Sequence, residues 1–139
     1  MDCLLDTVTV SELRRGTKAH PGVVRWQRTL DKVGLSVSTL NEIRYGMRKV
    51  ERSEPPFAAH LVAWYANLLA QPERFRIPNV DRPIAEIAAD FRAAHGISFN
   101  DSLIAATAKV HNLMLITLNM ANFEATGKHL VDPWEFGEG

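Results

Sequence analysis

Three carboxylates stand where the chain passes from a short apolar run into helical sequence. Asp6 follows Cys3-Leu4-Leu5 directly. Glu42 comes three residues after Thr39, just beyond Leu35-Ser36-Val37-Ser38. Asp101 comes three residues after Ser98 and opens a segment that is otherwise small and apolar through Ala108. Ser98/Asp101 and Thr39/Glu42 both have the spacing of a capping box, and Asp6 can cap whatever helix follows it. Taken singly, each acid is most simply a cap, because orphan N–H groups and the helix dipole favour acids in a first turn. Gathered in one place they would do something else. A cluster of carboxylates repels itself and is costly unless a cation neutralises it. Oxygen-only ligands select hard ions, Mg²⁺ or Mn²⁺.

Other chemistries lack their residues. The single cysteine, Cys3, allows no disulfide within the chain and no metal site built on thiolates alone. The five histidines have no metal-ligand spacing. There is no glycine-rich phosphate loop, no G-x-S-x-G elbow and no Cys–His signature. Sixteen basic residues balance sixteen acidic ones, which excludes a polybasic tail but not a local basic patch. No apolar run approaches the ~18 residues of a membrane span. Met1 to Asp6 lacks the basic start of a leader, and with one cysteine the expected compartment is the cytoplasm.

The elements that must position the acids follow from periodicity and punctuation. A chain of 139 residues suits one domain, taken as 1–139, with a core that needs no staples. Cys3-Leu4-Leu5 is a buried strand by its length. A short helix is expected from Thr7 to Arg15, ended by Gly16. Pro21 opens a second, with Val23, Trp26, Leu30 and Val33 on one face and Gly34 as its end. Leu35 to Ser38 is then the second strand. Thr39 caps a helix whose stripe is Leu40, Ile43, Met47 and Val50, and Pro55-Pro56 breaks the chain before another with Phe57, Leu61, Tyr65, Leu68 and Leu69. Phe75 to Ile77 is a third strand.

Asp81 and Pro83 begin a helix with Ile84, Ile87, Ala88, Phe91 and His95 on one face, closed by Gly96. The helix from about Ser98 to His111 has no polar face before Lys109, so it belongs in the middle of the fold. Leu113 to Thr117 is the clearest strand, a loop runs from Leu118 to Ala125, and His129 to Val131 is the last strand, stopped at Pro133, with Trp134 on the core. Short apolar strands alternating with helices predict an α/β domain, its mostly parallel sheet covered on both faces. In such folds ligands bind outside the carboxyl ends of the strands. That edge would collect Asp6, Glu42 and Asp101.

At these residues the chain resembles a known family. Leu4-Leu5-Asp6-Thr7, Leu35 through Gly46 around Thr39 and Glu42, Asp101 through Ala108, Thr117-Leu118-Asn119 through Asn122-Phe123, and Val131-Asp132-Pro133-Trp134 are similar to a PIN domain. The nearest branch is the VapC-type toxins of type II toxin–antitoxin pairs, with their FitB-like members. The resemblance spans nearly the whole chain, and the spacing of separate blocks makes it specific.

The resemblance implies a PIN-like fold and a Mg²⁺- or Mn²⁺-dependent endoribonuclease that leaves a 5′-phosphate and a 3′-hydroxyl. It implies Asp6, Glu42 and Asp101 as metal-binding acids, Thr7, Thr39 and Asn119 as polar residues beside them, and Asn122 at the position of a further catalytic group. RNA as substrate, a cognate antitoxin as partner and a homodimer as the usual unit also follow from it. Two positions depart from the pattern. Asn122 stands where the family commonly has Asp, and Val8 where it commonly has Asn. An amide offers a carbonyl oxygen but no full charge, so weaker metal binding is expected, with one strong site at most.

The rival reading is a catalytically impaired PIN domain that binds RNA or an antitoxin. A third is a nuclease acting on DNA, since carboxylate sites do not choose between the two polymers. Arg14, Arg15, Arg44 and Arg48 are candidates for backbone phosphate contacts.

Overall fold

The computed structural model describes residues 3–124, 126 and 130–136. In chain order the elements are β1 (Cys3–Leu5), α1 (Thr7–Leu13), α2 (Pro21–Gln27), β2 (Val33–Leu35), α3 (Val37–Lys49), α4 (Pro55–Leu69), β3 (Phe75–Arg76), α5 (Arg82–His95), α6 (Phe99–Val110), β4 (Met114–Ile116), α7 (Met120–Glu124) and β5 (Leu130–Val131). The strands form one sheet in the order β3-β2-β1-β4-β5, and all four pairings are parallel. The α/β class and the parallel sheet are therefore as expected.

Alternation along the strands splits the core into two layers. Leu4 and Leu115 face α5 and α6, where Ile84, Ala88, Phe91, Ile104, Ala105 and Ala108 pack. Cys3, Leu5, Leu35 and Ile116 face the other way, onto Val10, Trp26, Ile43, Met47 and Leu68 from α1 to α4. Small residues let α6 lie close against the sheet: Ala105, Ala106 and Ala108 are fully buried. Among the described residues no helix is long and apolar enough to cross a membrane.

Four expectations need correction. The second helix stops at Gln27, not near Val33, because Thr29 N–H and Leu30 N–H fold back onto the Trp26 and Gln27 carbonyls and the Thr29 hydroxyl also donates to Trp26. Val33 and Gly34 are thereby released into β2, where Gly34 pairs with Leu4 and Leu35 with Leu5. Ser36, not Thr39, caps α3: its hydroxyl accepts from Ser38 N–H, so the helix starts earlier and Thr39 lies inside it. The segment after β4 contains α7 rather than only loop. Trp134 is half-buried, while Pro133 beside it is buried, in a 3₁₀ turn seated on the start of α2. A Cβ at Gly22 would lie 2.3 Å from the Trp134 carbonyl oxygen, so this close approach requires glycine. Of the last expected strand, His129 lies outside the described residues, as do Ala125 and Gly127 of the connection before it.

Candidate active site

The carboxyl ends of β1 and β4 are level, since Leu5 pairs with Ile116. The next residue on each strand is polar, Asp6 and Thr117, and both are buried. Asp6 is the N-cap of α1. Its Oδ1 accepts from Thr9 N–H at 2.9 Å, with the Thr9 hydroxyl 2.6 Å away, and its Oδ2 accepts from the Thr117 hydroxyl at 2.5 Å. Thr117 in turn accepts from Asn119 N–H at 2.9 Å. Asp6 is thus held rigidly by two hydroxyls and a backbone amide.

Glu42 reaches the same edge from the second turn of α3. Because Ser36 serves as the cap, the Glu42 carboxylate is not spent on backbone N–H groups, and its Oε1 accepts from the Thr7 hydroxyl at 3.0 Å. Thr7 Oγ1 also lies 3.1 Å from Thr39 Oγ1. Thr7 has one proton and gives it to Glu42, so Thr39 is the donor in that second contact. The chain Thr39, Thr7, Glu42 ties the interior of α3 to the start of α1.

Asp101 is at the third position of α6. Ser98 caps that helix, with Asp101 N–H donating to Ser98 Oγ at 3.1 Å, as the spacing predicts. The Asp101 carboxylate remains half-exposed, and its Oδ2 accepts from Asn122 Nδ2 of α7 at 3.3 Å. The Ser38 hydroxyl donates to the Asn100 carbonyl at 3.3 Å and so joins the starts of α3 and α6.

Asp6 and Glu42 feel the charges beside them. Burial pushes the Asp6 carboxyl above its ordinary value, partly offset by hydrogen bonds from Thr117 and Thr9, and the negative charge of Asp101 pushes it further up. Burial likewise raises Glu42, against the Thr7 hydrogen bond, and the charges of Asp101 and Asp6 add to the rise. Among the described residues none of the three has a basic partner within ion-pair distance; the ion pairs present are Arg15–Glu12, Arg48–Glu51 and Arg82–Glu86. Nor do any three His, Cys, Asp or Glu side chains among the described residues form a ready-made ligand group. Glu42 Oε2 and Asp101 Oδ1 carry no hydrogen bond among them.

The residues singled out from sequence thus separate into two kinds. Thr7, Thr39 and Glu42 are linked by hydrogen bonds across α1 and α3, whereas Asp6 is bonded to Thr9 and Thr117 and Asp101 to Asn122, and Asp101 acts on the other two acids through its charge alone. Asn119 contributes its backbone N–H; its side chain is not bonded to the acids. Thr9 escapes sequence reasoning, and so does the part that Thr117 plays, although Thr117 opens one of the blocks that carry the family resemblance. The signal for Thr117 is its place: it ends β4 as Asp6 ends β1, in neighbouring parallel strands.

The PIN domain family model matches residues 3–128. Toxin FitB of Neisseria gonorrhoeae is 34% identical over 140 residues, 94% of this chain and 97% of its own length. The crystal structure of FitAcB from that organism matches with a TM-score of 0.77 at 30% identity, covering 96% of this chain and 99% of that one. VapC ribonuclease Y4jK of Sinorhizobium fredii is 30% identical over 139 residues, 95% of this chain and 97% of its own. A toxin–antitoxin complex from Klebsiella pneumoniae matches with a TM-score of 0.67 at 26% identity, covering 95% and 98% of the two chains.

Proposed function

The chain belongs to the PIN domain family, and from that premise we propose that it is the toxin of a type II toxin–antitoxin pair, an endoribonuclease that hydrolyses RNA phosphodiester bonds with the help of Mg²⁺ or Mn²⁺. Relatives named toxin FitB and VapC ribonuclease, similar along their whole lengths, support the activity. The likeness to a toxin–antitoxin complex supports a cognate antitoxin as partner. A cytoplasmic homodimer is the form we assign to it.

The observation that carries the metal-dependent reading is geometric: Asp6 after β1, Glu42 in α3 and Asp101 at the start of α6 come from three separate segments to one sheet edge, with no basic partner among the described residues, and the charge of Asp101 raises the other two carboxyls. Capping accounts for each acid singly but not for their gathering, which a divalent cation would relieve. The donors fit a hard ion: all are oxygens, and Glu42 Oε2 and Asp101 Oδ1, which accept no hydrogen bond among the described residues, leave lone pairs available.

When bound, the ion supplies Lewis acidity for water and offsets charge on the phosphate. Thr117 and Thr9 fix the Asp6 carboxylate, Thr39 and Thr7 fix Glu42, and Asn122 orients Asp101. A carboxylate so oriented can accept the proton of the attacking water, with Asn122 positioned to hydrogen-bond nearby.

The test compares the wild type with Asp101→Asn. RNA cleavage in Mn²⁺ and growth arrest on expression should both fall in the variant; equal cleavage or equal arrest would overturn the reading. The second reading, an impaired PIN domain that binds RNA or antitoxin, is favoured by one observation: an amide donates to Asp101 where a fourth acid would add charge. It predicts bound RNA that stays uncleaved at any Mn²⁺ concentration.

A further inference from the structure

The site continues into a groove of about 350 Å³ between α1, α3 and α4, bordered by Glu42 and Thr7 and, along α1, by Arg14. Arg14 also borders a second, open hollow of about 530 Å³, whose walls carry Arg15, Lys18 and His60 and no acid. One guanidinium therefore joins a mostly apolar groove, with Glu42 at its border, to a basic hollow. The chain as a whole has no net charge, so this concentration is local.

The basic side chains are largely available. Arg14 and Lys18 make no ion pair among the described residues, whereas Arg48 and Arg82 are each bridged to a glutamate on their own or the adjoining turn. Arg15 shares its charge with Glu12 at 3.0 Å and stays half-exposed. The Arg14 guanidinium sits 5.3 Å from the centroid of the Phe57 ring, which is itself 39% exposed. A ring face holds the cation in place while leaving its N–H edge open to an anion.

Three carboxylates repel a polyanion. A strand that must bring one phosphodiester against them needs cations on the flanking segment, and a groove bordered by Glu42 leads to such cations. Resting on the ribonuclease reading above, we propose that the RNA strand runs from the carboxylates past Arg14 into the hollow of Arg15, Lys18 and His60, which holds its backbone phosphates. Contacts of this kind set affinity and register and carry no sequence information. Salt dependence is therefore their signature.

The probe is a fluorescein-labelled single-stranded oligoribonucleotide of mixed sequence, bound to the full chain without divalent ions so that it stays intact. Anisotropy is read over a salt series for wild type, Arg14→Gln, Lys18→Gln and the double variant, with Arg82→Gln as a distant control. Each removed phosphate contact should flatten the slope of log affinity against log salt by about 0.7, the single-strand value. The double variant should flatten the slope by about 1.4 and bind roughly tenfold more weakly at low salt, and Arg82→Gln should match the wild type. Lys18 is exposed, so Lys18→Gln keeps the test meaningful even if Arg14→Gln folds poorly.

If wild type cleaves RNA while the double variant keeps its slope and affinity, the path is overturned and the ribonuclease reading stands. If wild type neither binds nor cleaves RNA, both fall. If the variants lose an antitoxin encoded beside this chain but keep the RNA slope, the hollow is a protein contact and the path is overturned.

Discussion

Thr117 and Asp6 end adjacent parallel strands at the same level, and the Thr117 hydroxyl donates to Asp6 Oδ2. The bond serves a carboxylate that is 4% exposed and raised in pKa by its own burial. It is one of three donors that keep Asp6 from a still larger rise, and it also gives Asn119 N–H its acceptor.

Thr117→Val removes that hydroxyl at nearly constant volume. The Asp6 carboxyl should titrate higher still, so the acid limb of the cleavage–pH profile should move to higher pH. Removing a hydrogen bond to a buried charged group should also cost about 1–3 kcal/mol of stability at neutral pH. Urea unfolding and a pH–rate profile read the two effects separately; an unmoved acid limb would show that Asp6 does not govern the rate.

Asp6 and Glu42 also make stability depend on pH. Their folded carboxyls hold protons to higher pH than the ordinary values of 3.8 and 4.5. The folded state then binds more protons than the unfolded one, so their contribution to stability falls as pH rises from those values through the raised folded ones. Asp101→Asn removes a charge that raises both groups, and the fall should become shallower. Mn²⁺ should restore stability to the wild type above that window, where the acids are ionised, and much less to the variant. Urea midpoints across the acid range, with and without Mn²⁺, check this; parallel curves for the two proteins would refute the coupling.

Asn122→Asp should strengthen divalent-ion binding about three- to tenfold, the effect of one added charge at a largely solvated position. The amide donor to Asp101 is lost, and a fourth acid takes its place facing the same carboxylate. Calorimetric titration with Mn²⁺ measures the gain. Restored cleavage in Asn122→Asp, where the wild type had none, would assign the natural chain to the impaired class.

Local sequence determined a good deal of this protein. Ser98 caps α6 and places Asp101 at its third position, Asp81 caps α5, and Gly96, at φ +65, ends it. These are interactions among residues a turn apart, so their spacing carries them. The alternation of short apolar runs with helical stripes likewise determined the parallel α/β class, because the central strands β1 and β2 are buried along their whole length and carry no polar side chain. The family resemblance then singled out Asp6, Glu42 and Asp101 together.

Tertiary structure decided what spacing alone leaves ambiguous. Thr39 and Glu42 have the spacing of a capping box, yet Ser36 takes the cap and Glu42 turns to Thr7, a residue 35 positions away. Val33 continues a helical stripe on paper, but sheet pairing with β1 claims its segment, since an intervening turn releases it from α2. Thr117 gained its part only through strand register, which joins residues 111 positions apart. Periodicity reports which face of an element is buried and not what it is buried against. The joining of Asp6 to Thr117, of Glu42 to Thr7, and of Asp101 to Asn122 therefore rested on the three-dimensional fold.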